Sequence, residues 1–241
     1  MKIKISLRSL RYLLHRAFRL KETQLDGIRI SCDSSMVDHW VARDIIRGGY
    51  EEAERQLARK AIREGDYILE IGAGVGAVGI LCCKQAGAGR VTSYEANPYL
   101  EPVIRHNFSL NGLKPNLILK AVSARGGPIT FFRSNNIVSS SVFDRALNGE
   151  EMTVDSVSIN QAIEHSCAQV IVMDVEGAEA ELLTVADLSS VREIIVEVHP
   201  HIIGEEAIEE MAQNLCNQGF SRKTRQHKTE WFSRSAERSS T

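Results

Sequence analysis

The sequence predicts an α/β protein of the Rossmann-like type, built on a mostly parallel, doubly wound sheet. Short apolar strands alternate with helices along most of the chain, and crossovers of that kind place successive strands parallel in one sheet. One of these strands runs directly into a glycine-rich turn, Glu70-Ile-Gly-Ala-Gly-Val-Gly76. Acidic residues also stand at the carboxyl ends of several predicted strands, which is where ligands bind in open α/β sheets.

Hydrophobic periodicity and turn residues predict the individual elements. A short strand over residues 28–32 and a helix over residues 37–46 come first, and a charged helix over residues 50–63 leads to Gly65. The core elements are then predicted in the order strand YILEIG, helix AVGILCCKQAG, strand RVTSYE, helix LEPVIRHNFSLNG, strands LILKAV, PITFFR and MTVDSV, a helix over 159–165, strand QVIVMDVEG, a helix, strand REIIVEVHP, a helix over 205–217 and two strands around Phe220 and over 230–233.

Composition places the chain among globular proteins and excludes several other classes. Of its 241 residues, 43% are hydrophobic and 25% are charged, so neither disorder nor a disulfide scaffold is indicated. The five cysteines form no CxxC pair, and we therefore predict no metal site, no disulfides and a cytoplasmic location. The net charge of −2 offers no general attraction for a polyanion, so no nucleic-acid partner is expected.

Residues 1–48 are predicted to form a cap segment, and residues 49–241 the main domain. The cap opens with a basic amphipathic helix, in which Arg8, Arg11 and Arg16 interrupt the apolar run that a secretory signal or a membrane span requires. We expect this helix to pack on its own domain. The alternative is contact with a membrane surface.

The glycine-rich turn is the strongest indication of a ligand. Gly72, Gly74 and Gly76 allow the backbone to approach a ligand closely, and the helix that follows offers free N–H groups. The same spacing satisfies the dinucleotide fingerprint, so NAD is an alternative cofactor. A carboxylate at Glu70 favours S-adenosylmethionine, because it attracts a sulfonium and repels a pyrophosphate. These four residues are therefore predicted to bind S-adenosylmethionine.

The next strand ends at Glu95. A carboxylate at this position accepts hydrogen bonds from the ribose hydroxyls of either nucleotide cofactor. The turn Ala-Asn97-Pro that follows would hold Glu95 in place, so Asn97 is assigned to the cofactor site as well. The alternative is a solvated carboxylate at the end of a strand.

Two further polar clusters follow the later strands. Asp174 and Glu176 belong to the run DVEGAE, and Glu197 and His199 belong to VEVHP. Within each pair, period-two alternation directs both side chains to the same side. Asp174 is assigned both to the sulfonium and to the acceptor, and His199 is a natural general base, oriented by Glu197. The alternatives are a helix N-cap for a carboxylate and a structural role for the histidine.

With these clusters in order, the chain resembles the FkbM family of S-adenosylmethionine-dependent methyltransferases over residues 49–199. The resemblance implies a class I methyltransferase fold, with the cofactor across residues 72–76 and its ribose on Glu95. It also implies that Ala121 to Ser123 border the adenine and that the acceptors are often hydroxyls of sugars, polyketides or similar metabolites. The motifs that carry it are GYEEAE, LEIGAGVG, SYEANP, HNFSLNGL, AVSARGGPITFF, TVDSV, VIVMDVEGAEAELL and IVEVHP.

The chain departs from the usual family pattern at three places. Family members commonly carry Asp-x-Gly-Ala-Asn where this chain has Glu70 to Gly74, and a lysine two residues before the DVEG aspartate where this chain has Val172. Lys120 occupies a position from which many methyltransferases direct an acidic group at the adenine amine. That contact would therefore fall to backbone atoms.

We therefore expect a methyltransferase that uses S-adenosylmethionine and methylates a hydroxyl of a small metabolite or glycan. Methyl transfer is an in-line displacement, for which the protein mainly has to align the two reactants. Asp174, Glu197 and His199 would surround the acceptor, and Ser139 to Ser141 would serve as a lid or an acceptor contact. The alternatives are an NAD-dependent oxidoreductase and a nucleic-acid methyltransferase.

Overall fold

The structure is a computed structural model that describes residues 6–133 and 150–234. The chain begins with α1 (Leu7–Phe18), the hairpin strands β1 (Glu22–Leu25) and β2 (Ile28–Ser31), α2 (His39–Arg47) and α3 (Glu52–Ala61). The alternating part begins with β3 (Ile68–Ile71), α4 (Ala77–Ala86), β4 (Val91–Tyr94), a 3-10 turn (Pro98–Leu100), α5 (Glu101–Leu110), β5 (Asn116–Ile118), β6 (Ala121–Ser123) and β7 (Gly127–Arg133). It continues with β8 (Glu150–Ser158), α6 (Ile159–Ser166), β9 (Val170–Met173), α7 (Glu179–Val185), β10 (Glu193–Glu197), α8 (Pro200–Ile203), α9 (Glu205–Asn217), β11 (Ser221–Gln226) and β12 (Thr229–Ser233).

The main sheet confirms the predicted Rossmann-like class. Its seven strands lie in the order β11-β12-β10-β9-β3-β4-β5. The adjacent strands β5, β4, β3, β9 and β10 pair in parallel. Strand β12 runs antiparallel to β10 and to β11. The chain first builds outward from β3 to β5 and then returns to the other side of β3 with β9. Strand order therefore reverses between β3 and β9, and ligands bind at such a switch point in open α/β sheets.

The central strands β3, β4 and β9 are buried along their whole length because helices cover both faces of the sheet. Alternate residues of one strand belong to two different apolar cores, as Ile68 and Leu69 of β3 show. Helices α3, α4 and α5 cover the first core, and α6, α7 and α9 cover the second. The sheet is thereby fixed on both sides, and its carboxyl edge presents the loops that carry polar side chains.

The N-terminal segment shares the first of these cores. Leu25, Ile28 and Ile45 are almost fully buried in it together with residues of β3 and α4. The hairpin is tied to α5, since the Ser31 amide donates to Asn107 Oδ1 at 2.8 Å. The division of the chain at residue 48 into a cap segment and a main domain stays a prediction.

Helix α1 packs against α2 and leaves much of its apolar surface in solvent. The exposed side chains include Leu7 and Phe18. In the part of the chain that is described, no helix combines the length and the hydropathy required to cross a bilayer.

The segment that was expected to form one strand, LILKAV, is divided between two sheets. β5 ends the main sheet through the pair Tyr94 and Ile118, whereas β6 pairs with β8 in a separate three-stranded sheet. The amide of Lys120 donates to the carbonyl of Ile118 at 3.0 Å, and this tight turn redirects the chain. The turn brings Lys120 and Ala121 to the carboxyl edge of the main sheet.

Candidate active site

A cleft of about 610 Å³ opens at this carboxyl edge, beside the reversal between β3 and β9. Its lining combines the loops after β3, β4, β9 and β10 with the start of α3 and the turn before β12. Among the described lining residues, seven carry a carboxylate and three are lysine or arginine, so the cleft favours positively charged ligands. The acidic residues are Glu51, Glu52, Glu54, Glu95, Asp174, Glu176 and Glu197, and the basic ones are Arg8, Lys120 and Lys228.

The glycine loop needs glycine because other atoms occupy the space of a side chain. Gly72 has φ +87°, and a Cβ there would lie 2.0 Å from the carbonyl oxygen of Asp174. Gly74 has φ +55°, and its Cβ would lie 2.7 Å from the Tyr50 hydroxyl. Both glycines line the cleft. Gly76 caps α4 and packs against the Phe108 ring, outside the cleft lining.

Glu70 does not reach the cleft, although we predicted that it faces a sulfonium. Its side chain lies beneath α4, where a Cβ on Gly79 would be 2.5 Å from its Oε2 and where the Ser93 hydroxyl donates to it. Burial raises the pKa of Glu70 from 4.5 to about 7, against the hydrogen bond from Ser93. The physical reason is the alternation of β3, which turns position 70 toward the α4 side of the sheet. The Glu70 carboxylate therefore packs between β4 and the first turn of α4.

Glu95 joins the glycine loop to the end of β4. Its Oε2 accepts hydrogen bonds from the amides of Ala73 at 3.0 Å and Gly74 at 3.1 Å, and its Oε1 accepts from the Asn97 amide at 2.8 Å. Burial raises the pKa of Glu95, and these backbone hydrogen bonds oppose the rise. Asn97 is buried outside the lining, and its side-chain oxygen accepts from the Tyr99 amide at 3.1 Å. It orders the turn that places Glu95.

The two residues assigned to the adenine lie in different surroundings. Ala121 lines the cleft next to Lys120 and Val122. The Ser123 hydroxyl instead lies 2.8 Å from the Ser156 hydroxyl and accepts from the Gly126 amide at 2.9 Å. Ser123 therefore contributes to the pairing of β6 with β8 and is not part of the lining.

An imidazole surrounded by carboxylates occupies the ends of β9 and β10. His199 Nε2 lies 3.5 Å from Glu176 Oε2 and 3.7 Å from both Asp174 Oδ1 and Glu197 Oε1. The structure thus brings together the four residues that the sequence placed after these two strands. Neither Asp174 nor Glu176 caps the next helix, since the N-cap of α7 is Ala178.

Burial and neighbouring carboxylates raise the pKa values of Asp174 and Glu197 in this cluster. Burial raises the pKa of Asp174 well above its usual value, and the neighbouring charges of Glu197 and Glu176 raise it further. Burial and the charge of Glu54 likewise raise the pKa of Glu197, against the effect of His199 and Lys228. Like charges at close range disfavour ionisation. A ligand with positive charge would relieve this repulsion.

Glu179 orients the imidazole and was given no role from the sequence. Its side chain is fully buried, its Oε1 lies 3.4 Å from His199 Nδ1, and it accepts from the His199 amide at 2.6 Å. The Gly177 amide donates to its other oxygen at 2.7 Å. Burial alone would raise the pKa of Glu179, but the hydrogen bonds and charge of His199 hold it below its usual value. Helical spacing was the available signal, because Glu179 shares a face with the buried residues Leu182 and Leu183.

The start of α3 contributes a second group that the sequence analysis left without a role. Glu51 has φ +47°, and burial followed by the charge of Glu54 raises its pKa well above the usual value. The Tyr50 hydroxyl accepts from the Val75 amide at 3.4 Å, and the Thr229 hydroxyl donates to Glu54. The motif GYEEAE was noted only for its resemblance. Ser139 to Ser141 lie outside the described residues.

Comparisons with known proteins indicate the family of the chain. Residues 70–222 match a family model described as "Methyltransferase FkbM domain". An arginine N(omega)-methyltransferase from Streptomyces achromogenes subsp. streptozoticus is 32% identical over 114 residues, which cover 44% of this chain and 29% of that protein. The match thus spans less than a third of that relative's length.

Solved structures of methyltransferases show more distant similarity. Magnesium protoporphyrin IX methyltransferase (ChlM) from Synechocystis PCC 6803 has a TM-score of 0.47 and 13% identity, covering 98% of this chain and 100% of that one. Trm5b from Pyrococcus abyssi has a TM-score of 0.45 and 16% identity, covering 89% of this chain and 55% of that one. The family assignment rests on the sequence match, which extends over more than half of the chain: this protein belongs to the FkbM-domain family of methyltransferases.

Proposed function

We propose that this methyltransferase uses S-adenosylmethionine and transfers the methyl group to a hydroxyl oxygen of a small metabolite or glycan. The observation that supports it best is the acidic cleft beside Gly72 and Gly74, at the reversal of strand order. A carboxylate-rich lining suits a sulfonium and disfavours the pyrophosphate of NAD. Membership in a methyltransferase family also favours this function over the NAD-dependent alternative.

The described residues fit this cofactor. Gly72 and Gly74 would let it approach the backbone, Ala121 would border the adenine, and Glu95 would accept from the ribose hydroxyls with the capacity that its amide contacts leave. When bound, the cofactor supplies an electrophilic methyl group on a positively charged sulfur. Because Glu70 lies beneath α4, we assign the attraction for that charge to Asp174 and the other acidic residues of the cleft.

We assign the acceptor to the opposite end of the same cleft, between the ends of β9 and β10. Asp174, Glu197 and His199 would surround it there. The contribution of the chain is alignment, because a displacement in line with the carbon–sulfur bond requires the acceptor oxygen to face the methyl carbon. Glu179 holds His199 and acts as a positioning residue.

Titration calorimetry with S-adenosylhomocysteine tests the cofactor without an acceptor. We expect binding with a dissociation constant on the order of micromolar, and Glu95→Gln should weaken it by about 10- to 100-fold, since hydrogen bonds to a charged group contribute about 1.5–3 kcal/mol. Glu206→Gln, an exposed carboxylate outside the cleft, is the matched control and should bind normally. If the wild-type protein binds NAD and not S-adenosylhomocysteine, the proposal is wrong.

N-methylation of a cationic acceptor is the second candidate function. The excess of carboxylates in the cleft supports it, since a guanidinium or ammonium group would pair with them. The name of the arginine N(omega)-methyltransferase points the same way. Mass spectrometry after incubation with arginine and with a panel of sugars, in parallel, separates the two candidates, because the methylated product identifies nitrogen or oxygen as the acceptor atom.

We also propose a cytoplasmic place of action. The five cysteines are free, and two of them, Cys167 and Cys216, are exposed. Free thiols persist in reducing compartments. Fractionation of cells that produce the protein, with detection by antibody, tests this assignment.

A further inference from the structure

The spacing around His199 differs from that of a hydrogen-bond network. Its Nε2 lies 3.5–3.7 Å from three carboxylate oxygens, whereas N–H···O hydrogen bonds measure about 2.7–3.2 Å. One ligand atom each from Asp174, Glu197 and His199 lies within 4.8 Å of the others. Atoms that share one cation are separated by at most about twice the metal–ligand distance, which is about 4.2 Å for Mg²⁺ and about 5 Å for Ca²⁺, and the 3.7 Å from His199 Nε2 to Asp174 Oδ1 and to Glu197 Oε1 lies within both limits. The three side chains therefore surround a volume of the size that a metal ion requires.

The orientation of His199 is an independent observation. Its side chain is 3% exposed, and its Nδ1 faces the fully buried Glu179, so the opposite nitrogen is directed into the cluster. Metal-binding histidines almost always direct their second nitrogen to a carboxylate, a carbonyl or water, which fixes the ring and raises its basicity. Asp174 Oδ1 and His199 Nδ1 are both buried without a hydrogen-bond partner among residues 6–133 and 150–234, and Nδ1 lies 3.4 Å from Glu179 Oε1. The imidazole nitrogen Nε2 and the Asp174 oxygen are therefore both available to a ligand between them.

We propose that Asp174, Glu197 and His199 bind a divalent cation of the Mg²⁺ or Mn²⁺ type. Two carboxylates and one imidazole suit hard and intermediate divalent ions, and three protein ligands leave positions open for water or substrate. This proposal replaces the expectation of no metal, which was based on cysteine spacing. Asp174, Glu197 and His199 follow two separate strands, so no regular sequence spacing marks them as metal ligands. Only the fold brings them together.

The catalytic role of this cation rests on the proposed function, whereas its binding does not. A cation at this position would hold the acceptor oxygen and stabilise its deprotonated form. The acceptor O–H would lose its proton to water, its oxygen would form the bond to the methyl carbon, and the carbon–sulfur bond would break with its electron pair left on sulfur. The neutral thioether S-adenosylhomocysteine then remains. His199 would act as a ligand in this scheme and not as the base that we predicted from the sequence.

Titration of the metal-free full chain with MnCl₂ tests the site directly. Electron paramagnetic resonance measures the concentration of free Mn²⁺ at each step of the titration. We expect one bound Mn²⁺ per chain and competition by Mg²⁺. Asp174→Asn and Glu197→Gln keep the side-chain shape and remove a ligand charge, and each should weaken binding by more than about tenfold. The Glu206→Gln protein should bind Mn²⁺ as the wild type does, since its carboxylate lies outside the cleft.

A variant of the second layer separates metal binding from general acidity. Glu179→Gln should weaken Mn²⁺ binding by about 10- to 100-fold, provided that its circular dichroism spectrum shows a folded protein. The proposal is overturned if the wild type binds no Mn²⁺, or if Asp174→Asn and Glu197→Gln bind it as tightly as the wild type. Because the titration contains no cofactor, its result is independent of S-adenosylhomocysteine binding. Failure of the metal site and failure of the proposed methyl transfer are therefore separate results.

Discussion

Gly72 and Asp174 meet so closely that a Cβ on Gly72 would lie 2.0 Å from the carbonyl oxygen of Asp174. The amide of Asp174 in turn donates to the carbonyl of Ile71 at 2.9 Å. The loop after β3 and the loop after β9 are thus in direct backbone contact. The loop after β3 belongs to the proposed cofactor half of the cleft, and the loop after β9 belongs to the proposed acceptor half. A displacement of one loop would therefore displace the other.

Gly72→Ala should therefore destabilise the protein by at least about 2–3 kcal/mol and abolish S-adenosylhomocysteine binding, because it adds a backbone clash to an unfavourable φ. Gly65→Ala is the matched control, since Gly65 has the same φ of +87° but a Cβ there would have nothing within 4 Å. It should cost about 1 kcal/mol and leave binding intact. Thermal unfolding and calorimetry measure both effects, and equal losses in the two variants would contradict the close-contact explanation.

Glu70 predicts a specific dependence of stability on pH. Its pKa in the folded protein is about 7 against a reference of 4.5, so the folded state retains a proton that the unfolded state has lost. The contribution of Glu70 to stability therefore falls as the pH rises from about 4.5 to 7, and it is constant above that range. Glu70→Gln should be more stable than the wild type by on the order of 2–3 kcal/mol at about pH 8 and nearly equal to it at about pH 4.5.

Urea unfolding of both proteins across this pH range measures the difference directly. Other buried carboxylates titrate in both proteins, so their effects cancel in the comparison. A difference between the two proteins that stays constant with pH would show that folding does not raise the pKa of Glu70.

His199→Ala should lower turnover by at least about tenfold and leave the affinity for S-adenosylhomocysteine unchanged, because the buried imidazole lies behind Asp174 and Glu197, which line the proposed acceptor half of the cleft. His165→Ala is the control, since His165 is an exposed histidine near the end of α6 and lies outside the lining. It should retain full turnover. Steady-state rates and calorimetry on both variants test this, and parallel losses of turnover and cofactor affinity in His199→Ala would exclude a role confined to the acceptor.

Ser123→Ala should affect stability and not ligand binding. The variant loses the contacts of the hydroxyl with Ser156 and with the Gly126 amide, at a cost of about 0.5–1.5 kcal/mol. Calorimetric titration should give the wild-type affinity for S-adenosylhomocysteine. A weakened affinity would place Ser123 back beside the adenine, where the family resemblance had put it.

The elements of the main sheet were predictable because their signals are local. The apolar runs of β3, β9 and β10 and the glycine turn after β3 determine secondary structure within a few residues, and alternating strands and helices determine the parallel topology. The division of LILKAV at Lys120 was missed because an apolar periodicity reports burial and not which sheet a strand joins. That choice depends on β8, whose partner residues are more than thirty positions away in the register of Ala121 with Ser156.

The candidate site was predictable only in part, for a similar reason. Strand-end carboxylates such as Asp174 and Glu197 were found because parallel strands bring their carboxyl ends to one edge. Glu70 was placed on the wrong side because its position beside the glycines was weighed more heavily than the alternation of the strand. Glu51 and Glu54 enter the site through packing between distant elements, which no spacing in the sequence records. Glu179 did have a local signal, its helical spacing with Leu182 and Leu183, which was not used.

Strand β12 lies between β10 and β11 although it follows both of them in the sequence. Until residue 233 has left the ribosome, a growing chain exposes the edge of β10, and Glu54 lacks the hydroxyl of Thr229. Unpaired apolar strand edges associate with other chains. The nascent polypeptide therefore completes its ligand cleft and covers the edge of β10 in the same late event.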